Sequence, residues 1–470
     1  MVAGPVAAQS VAPPTALPAS VLAALARAQL PPDALSVFVA DARPNGPVLL
    51  AYGAQQPVNP ASVMKVVTTL AALELLGPGH VWRTRVYTDG TVANGVLSGN
   101  LYLQGGGDPK LVTERVLLLL QRVQGLGIRR IAGDVVLDRS AVAVPEQDPG
   151  AFDGEPLRPY NAGPDGLLVN FKSQLFTFVP DVAAGVARVQ AEPALTADRM
   201  PQNVPPTVPL NSRACGDWRG GLGAQFTPAM VPRFTGTFPA ACGEKVWPVA
   251  HPEPAAFAAR AVAGLWASLG GQLDGVVRDG PVPAALQQAG ARLTLESPTL
   301  VEVVRDVNKF SNNVMAQHVM LALAQTDTPP QPATFERARQ VLLRWWQERI
   351  DPAGRHAPPV VDNGSGLSRD ARISAAALGQ LLQVAYASPM MPELMASFPA
   401  SGLDGTLRRS AMGAGLAHLK TGSLRDVQAL AGYVHSPGGD RKVLVALVNH
   451  PQARDARPAL DALVQWAATQ

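Results

Sequence analysis

Between Val81 and about Gly290 the sequence changes texture, and this change constrains the fold more than any other feature. Short runs of β-forming residues dominate there: VWRTRVYT, VLSGNLYLQ, IAGDVVLD, LLVNFKSQLFTFV and GVARVQAE, separated by turn clusters such as DGTVANG. Two helical patterns interrupt them, at 112–125 and 254–269. Before this region, PASVLAALARAQLP (18–31) has helical periodicity, and LSVFVADA, RPNGP and VLLAYGA read as a hairpin. After it, TLVEVVRDVNKFSNNVMAQHVMLALAQ, FERARQVLLRWWQERI and ISAAALGQLLQVAYAS are helical. LAHLKTGSL, VQALAGYVHS and RKVLVALVNH then read as strands, the last two a hairpin around PGGD, and ARPALDALVQWAATQ as a final helix. Strands towards both chain ends with helices between them predict one α/β domain (1–82 and 290–470). A mainly β insertion (83–289) of two subdomains splits it.

Composition sets limits on partners. The chain has 470 residues, 47% of them hydrophobic and 16% charged, which allows a large core in more than one domain. Net charge is +3 and scattered, with no Lys/Arg run to suggest nucleic acid or an anionic membrane. No apolar stretch reaches the ~18 residues of a membrane-spanning helix. The opening MVAGPVAAQSVAPPTALP lacks the charged and apolar regions of a signal peptide and reads as a disordered mature N-terminus behind an added Met. Cys215 and Cys242 both lie in Pro/Gly-rich sequence. Bridged, they would close a long loop, contribute about 3 kcal/mol on a chain-entropy account and favour an oxidising compartment. The alternative is two unrelated buried thiols.

Several chemistries lack their residues. There is no H-E-x-x-H, the seven histidines are dispersed and no metal or cofactor is expected. No G-x-S-x-G elbow occurs. GGGDPK (105–110) lacks the Lys-Ser/Thr ending of a phosphate loop and reads as a tight turn rather than an anion cradle. NPASVMKVVTT (59–69) offers more. Asn59 suits an N-cap and Pro60 a first helical residue, which places Ser62 in the first turn of a helix running to about Leu76. Lys65 comes three residues later, on the same face. A serine hydroxyl is a weak nucleophile until a base takes its proton, and a lysine can be that base if burial or a neighbouring cation lowers its pKa. Alone the pair means little. KFSNNVM adds Ser311-Asn312-Asn313, and LKTGSL adds Lys420-Thr421-Gly422-Ser423 on a predicted strand. A glycine inside a strand often marks close approach of another backbone or a ligand.

S-x-x-K, S-x-N and K-T-G in this order are the signature set of penicillin-binding proteins and serine β-lactamases. The chain resembles the low-molecular-mass class C penicillin-binding proteins, the D-alanyl-D-alanine carboxypeptidase/endopeptidase family. The long separation of the first two motifs, DNGSGLSR (362–369) and LQGGGDPKL (103–111) carry that narrower resemblance. Two departures stand out: Asn312 where Asp is common, and a 150–164 segment without the tryptophans often found near there.

The resemblance implies a serine β-lactamase/transpeptidase-like domain, an antiparallel sheet flanked by helices plus an all-α subdomain. It implies Ser62 as nucleophile, Lys65 as base, Ser311 as proton relay, Asn313 on the substrate amide and Lys420 as a positive field. Thr421, Gly422 and Ser423 would bind substrate, with Glu155 and Tyr160 reading the third residue of a stem peptide. Arg369 is either a further site residue or the partner of an acidic neighbour, and Asp404 reads as a turn former. The implied partners are peptidoglycan stem peptides and β-lactams as covalent inhibitors, in the periplasm, with at most peripheral membrane contact. The rivals are a β-lactamase and an idle wall-peptide-binding protein of the same fold.

Overall fold

Every residue of the strand Leu35–Asp41 is buried, so the usual alternation is missing. A strand buried on both faces belongs inside a sheet that is covered on both sides. The computed structural model shows that arrangement. It describes residues 15–195, 206–226, 233–326 and 331–470. Most of the N-terminal stretch expected to be disordered, residues 1–14, lies outside them. The chain forms two contact units. The first holds the described residues up to Gly79, Leu300–Leu323 and Phe335–Gln470; the second holds His80–Thr299 and Ala324–Thr334.

In the first unit, strands β1 (Leu35–Asp41), β2 (Val48–Tyr52), β3 (Ala417–Leu424), β4 (Val427–His435) and β5 (Arg441–Asn449) form an antiparallel sheet in the order β3-β4-β5-β1-β2. Its helices are α1 (Ala19–Arg27), α2 (Met64–Leu76), α3 (Leu300–Lys309), α4 (Asn313–Ala322), α5 (Phe335–Trp345), α6 (Ala375–Tyr386), α7 (Met391–Ser397) and α8 (Arg457–Ala468). Val21 and Leu25 of α1 and Leu463 and Val464 of α8 share one core with Val37, Leu419 and Leu444 of the sheet. α6 packs on β1 and β5, with Gly379 so close to the Phe38 ring that a Cβ would meet it. α2 is buried from Met64 through Leu73, as expected of a helix that is apolar all round, and α3, α4 and α5 pack about it.

At two motif residues the backbone departs from the sequence expectation. The long helical pattern after Thr299 is two helices, not one. Ser311 sits between α3 and α4 at φ 56°, which no right-handed helix passes through. Asn312 caps α4, its Oδ1 accepting from Met315 N at 3.0 Å. Likewise Ala61 has φ 48°, so Ser62 lies on a 3₁₀ turn (Ala61–Val63) ahead of α2 rather than in an α turn. Asn59 accepts from Ala61 N at 2.8 Å and so closes a tight turn instead of capping α2.

Besides a smaller cluster of Tyr87, Tyr102, Val136 and Val282, the second unit has two large cores among its described residues. One lies under a five-stranded sheet, in the order Val277–Asp279, Val135–Asp138, Leu101–Gln104, Arg83–Thr88, Leu293–Glu296, with helices Thr113–Gly125 and Pro254–Ser268. The other lies on the sheet containing Val186–Glu192, Ser173–Asp181 and Lys245–Ala250, where Phe176, Phe178 and Phe238 are buried beside Trp218 and Trp247. Cys215 and Cys242 are bridged there, with Cα atoms 4.7 Å apart. The bridge spans 27 residues, so its removal is expected to lower stability by about 3 kcal/mol. Denaturant unfolding of a Cys215→Ser/Cys242→Ser variant measures this; an unchanged midpoint would show that the bridge adds no stability.

Candidate active site

The turn carrying Ser62 is held from several distant segments. Asn59 Nδ2 donates to the Ser368 carbonyl at 2.9 Å. The backbone N–H of Asn59 donates to Asn449 Oδ1 at 3.1 Å, and Asn449 Nδ2 donates back to the Asn59 carbonyl at 3.0 Å. Two glycines let other backbones close in. A Cβ on Gly366, which has φ 76°, would lie 1.9 Å from the Ala61 carbonyl oxygen. One on Gly422, inside β3, would lie 2.7 Å from the Pro60 carbonyl oxygen. Gly366→Ala is therefore expected to displace Ser62 and slow acylation about 10²-fold. A rate within threefold of the unsubstituted protein's, by a chromophoric β-lactam, would show that the turn yields without cost.

Lys65 is fully buried. Its Nζ lies 3.0 Å from Ser62 Oγ, 2.7 Å from Asn313 Oδ1 and 2.5 Å from the Ser365 carbonyl oxygen. Burial, and then the charge of Lys420, push its pKa well below the ordinary lysine value. A neutral amine has two N–H groups and one lone pair. Asn313 Oδ1 and the Ser365 carbonyl can only accept, so they take both N–H groups. The lone pair is left for the Ser62 hydroxyl.

Lys420, also buried, donates to Ser311 Oγ at 2.8 Å and to the Thr421 carbonyl at 2.6 Å. Burial lowers its pKa to about 7. Ser311 is aimed by its left-handed backbone and by the residue two before it. Lys309 donates to Asp404 at 2.6 Å and to the Phe398 carbonyl at 2.7 Å, while Asp404 also accepts from Ala400 N.

The three motifs meet at one cleft of about 320 Å³, lined by Ser62, Ser311, Thr421, Gly422 and Ser423 among others. Thr421 is hydrogen-bonded to Thr406 at 2.7 Å, and Ser423 Oγ accepts from Gln428 at 2.7 Å. Arg369 pairs with Asp426 at 3.2 Å, both half exposed. Glu155 and Tyr160 belong to the second unit and are engaged within their own loop: Glu155 with Arg158 at 3.2 Å, Tyr160 donating to Asp153 at 2.8 Å. Sequence reasoning missed the Ser365 carbonyl and Thr406. The two glycines of G-S-G were the available signal for the first, since they permit the positive φ values at Gly364 and Gly366 that turn this segment.

The chain is similar to known proteins over most of its length. A D-alanyl-D-alanine carboxypeptidase from Actinomadura is 29% identical over 412 residues, covering 83% of this chain and 73% of its own. The D-alanyl-D-alanine carboxypeptidase DacB of Haemophilus influenzae is 24% identical over 439 residues, covering 90% and 86%. The crystal structure of penicillin binding protein 4 (dacB) from Haemophilus influenzae shares the fold, with a TM-score of 0.71 and 21% identity over 95% of this chain and 99% of that one. Residues 17–470, which include every motif residue of the cleft, match a single family throughout, and the chain belongs to that family, the D-Ala-D-Ala carboxypeptidase 3 (S13) family.

Proposed function

We propose that Ser62 carries out the family's D-Ala-D-Ala peptidase reaction through an acyl-enzyme. Ser62 Oγ attacks the carbonyl of the penultimate D-Ala. Lys65 takes the hydroxyl proton, and Ser311 relays a proton to the departing amine as the C–N bond breaks. The ester on Ser62 is then hydrolysed by water. The N–H groups of Ser62 and Ser423 stabilise the oxyanion, a contribution of about 10²–10³ in rate per donor. Asn313 holds the substrate amide, and Thr421 and Ser423 hold the terminal carboxylate beside cationic Lys420. The observation that carries this reading is the committed donor set of Lys65, which leaves its lone pair for Ser62.

A β-lactam presents a reactive amide to the same serine. The Haemophilus influenzae protein has been solved in complex with one, which supports the extension to this chain. A wall substrate and the Cys215–Cys242 bridge support an exported, oxidising location.

The experiment is D-Ala release from a stem pentapeptide, together with mass spectrometry of the penicillin adduct. Release of D-Ala and an adduct on the peptide containing Ser62 are expected. An adduct elsewhere, or none, would sink the proposal. Rapid turnover of a chromogenic cephalosporin would move the assignment to β-lactamase.

The lysines also set a pH dependence. Lys65 must be neutral and Lys420 charged. Burial, and then the charge of Lys420, hold the Lys65 pKa well below the ordinary lysine value, so Lys65 is the one to give up its proton. Acylation should thus rise with pH as Lys65 deprotonates and fall as Lys420, near 7 in the free protein, does so. Lys420→Arg, which stays charged, should lose the alkaline fall in a pH–rate profile. Its persistence would assign that limb to another group.

A further inference from the structure

His418 and His435 touch each other, and the acylation chemistry uses neither. His418 Nδ1 lies 2.8 Å from His435 Nε2, with the rings edge to face. An imidazole nitrogen either carries a proton or offers a lone pair, so the contact needs one ring to donate and the other to accept. The pair can therefore hold one added proton as a unit, but not two. It stands beside the device that aims Ser311. His418 lies on β3 two residues from Lys420, hence on the same face of the strand. The loop after α7 is stitched to β3 on either side of His418: Leu419 N donates to the Pro399 carbonyl at 3.0 Å, and Ser401 N to the Ala417 carbonyl at 2.9 Å. That loop carries Asp404, which holds Lys309, two residues before Ser311, at 2.6 Å.

The charges that act on His418 are Lys309 from the end of α3, Asp404 from the loop and Arg441 from β5, and Arg441 acts on His435 as well. Lys420 adds a further cation along β3. Burial, then His435 and Lys309, push the His418 pKa below the ordinary histidine value against the pull of Asp404, and burial, then Arg441, does the same to His435. The pair is thus neutral at pH 7 and charges only on acidification. We infer that the neutral His418–His435 pair is a positioning element for Ser311, and that a proton on it draws Asp404 away from Lys309 and slows acylation. An imidazolium at His418 competes with Lys309 for the Asp404 carboxylate and repels the Lys309 ammonium. The end of α3 then loses its hold, and Ser311 its aim. This rests on the Ser62 reading, since acylation is the reaction measured.

The test is the pH profile of penicillin acylation for the full chain and for its His418→Gln/His435→Gln variant, whose amides can keep one hydrogen bond but take up no proton. Protonation of Lys65 slows both proteins alike on acidification. The unaltered protein is expected to fall about tenfold further than the variant between neutral and mildly acid pH, while the two acylate within about threefold of each other at pH 7. An equal fall in both, or a loss at pH 7 with an unchanged profile, overturns the positioning role. Imidazole proton NMR of the unaltered protein gives a measurement that does not need the variant to fold. One proton taken up by the pair over the interval of the extra fall is expected, and rings that stay neutral throughout overturn the proposal. If the unaltered protein fails to acylate at pH 7, the Ser62 assignment falls and the positioning role with it, whereas normal acylation with an equal fall in both proteins removes the positioning role alone.

Discussion

Ser62→Ala is expected to remove covalent penicillin labelling altogether and to lower D-Ala release by about 10⁵–10⁶-fold, the scale seen when a nucleophile is deleted. The fold should survive. Ser62 Oγ lies 3.0 Å from Lys65 Nζ, but its turn is held by Asn59, Asn449 and the carbonyls around it rather than by the hydroxyl. Circular dichroism and the melting temperature should match the unsubstituted protein's within a few degrees. Stoichiometric labelling of this variant would show that another residue is the nucleophile.

Lys65→Arg is expected to cost about 10²–10⁴ in acylation rate although the charge is kept. A guanidinium cannot be deprotonated in a protein, so it cannot accept the Ser62 proton. Its planar fork also cannot reproduce two bonds to Asn313 Oδ1 and the Ser365 carbonyl while leaving a lone pair free. Because Lys65 is fully buried, the larger group also strains its pocket. Lys65→Met separates the two effects, since it removes the base with a side chain of similar length. Equal loss in both variants, with both folded, assigns the role to the amine. Near-native acylation by the Arg variant would make Lys65 an electrostatic or structural residue.

The parts of the site that sequence revealed are those whose chemistry needs a rare side chain at a fixed spacing. Ser62 and Lys65 sit three apart because helical geometry demands it, and Lys420-Thr421-Gly422 lies on a strand whose glycine faces the Pro60 carbonyl. The parts it hid are backbone groups and conformations. The Ser365 carbonyl could be any residue's. The positive φ of Ala61 and Ser311 is imposed by packing against the propensity of both residues, at a cost of roughly 1–3 kcal/mol each. Helical periodicity therefore runs unbroken through Ser311 although the helix does not. In the fold, strand order was equally hidden. The pattern indicated strands at both chain ends, but not that β1 pairs with β5. That pairing is a long-range choice made by burial, not by local propensity.

The β1–β5 pairing has a consequence for how the protein is made. Leu35 lies opposite Val448, and Asn59 grips Asn449, 390 residues further along. A nascent chain that has delivered Ser62, Lys65 and Ser311 still lacks the strands that complete the sheet. The β1–β2 hairpin must wait with an unpaired edge while the whole second unit and helices α3–α7 emerge. Closing so long a loop adds little to the equilibrium cost, because that cost grows only logarithmically with length. The burden falls on kinetics: high contact order slows folding and lengthens the exposure of an aggregation-prone edge. The turn bearing Ser62 and Lys65 thus gains its Asn449 anchor, and Ser311 its Lys420 partner, only after the last strands are made, and a partly made chain bears the first motif without the completed site.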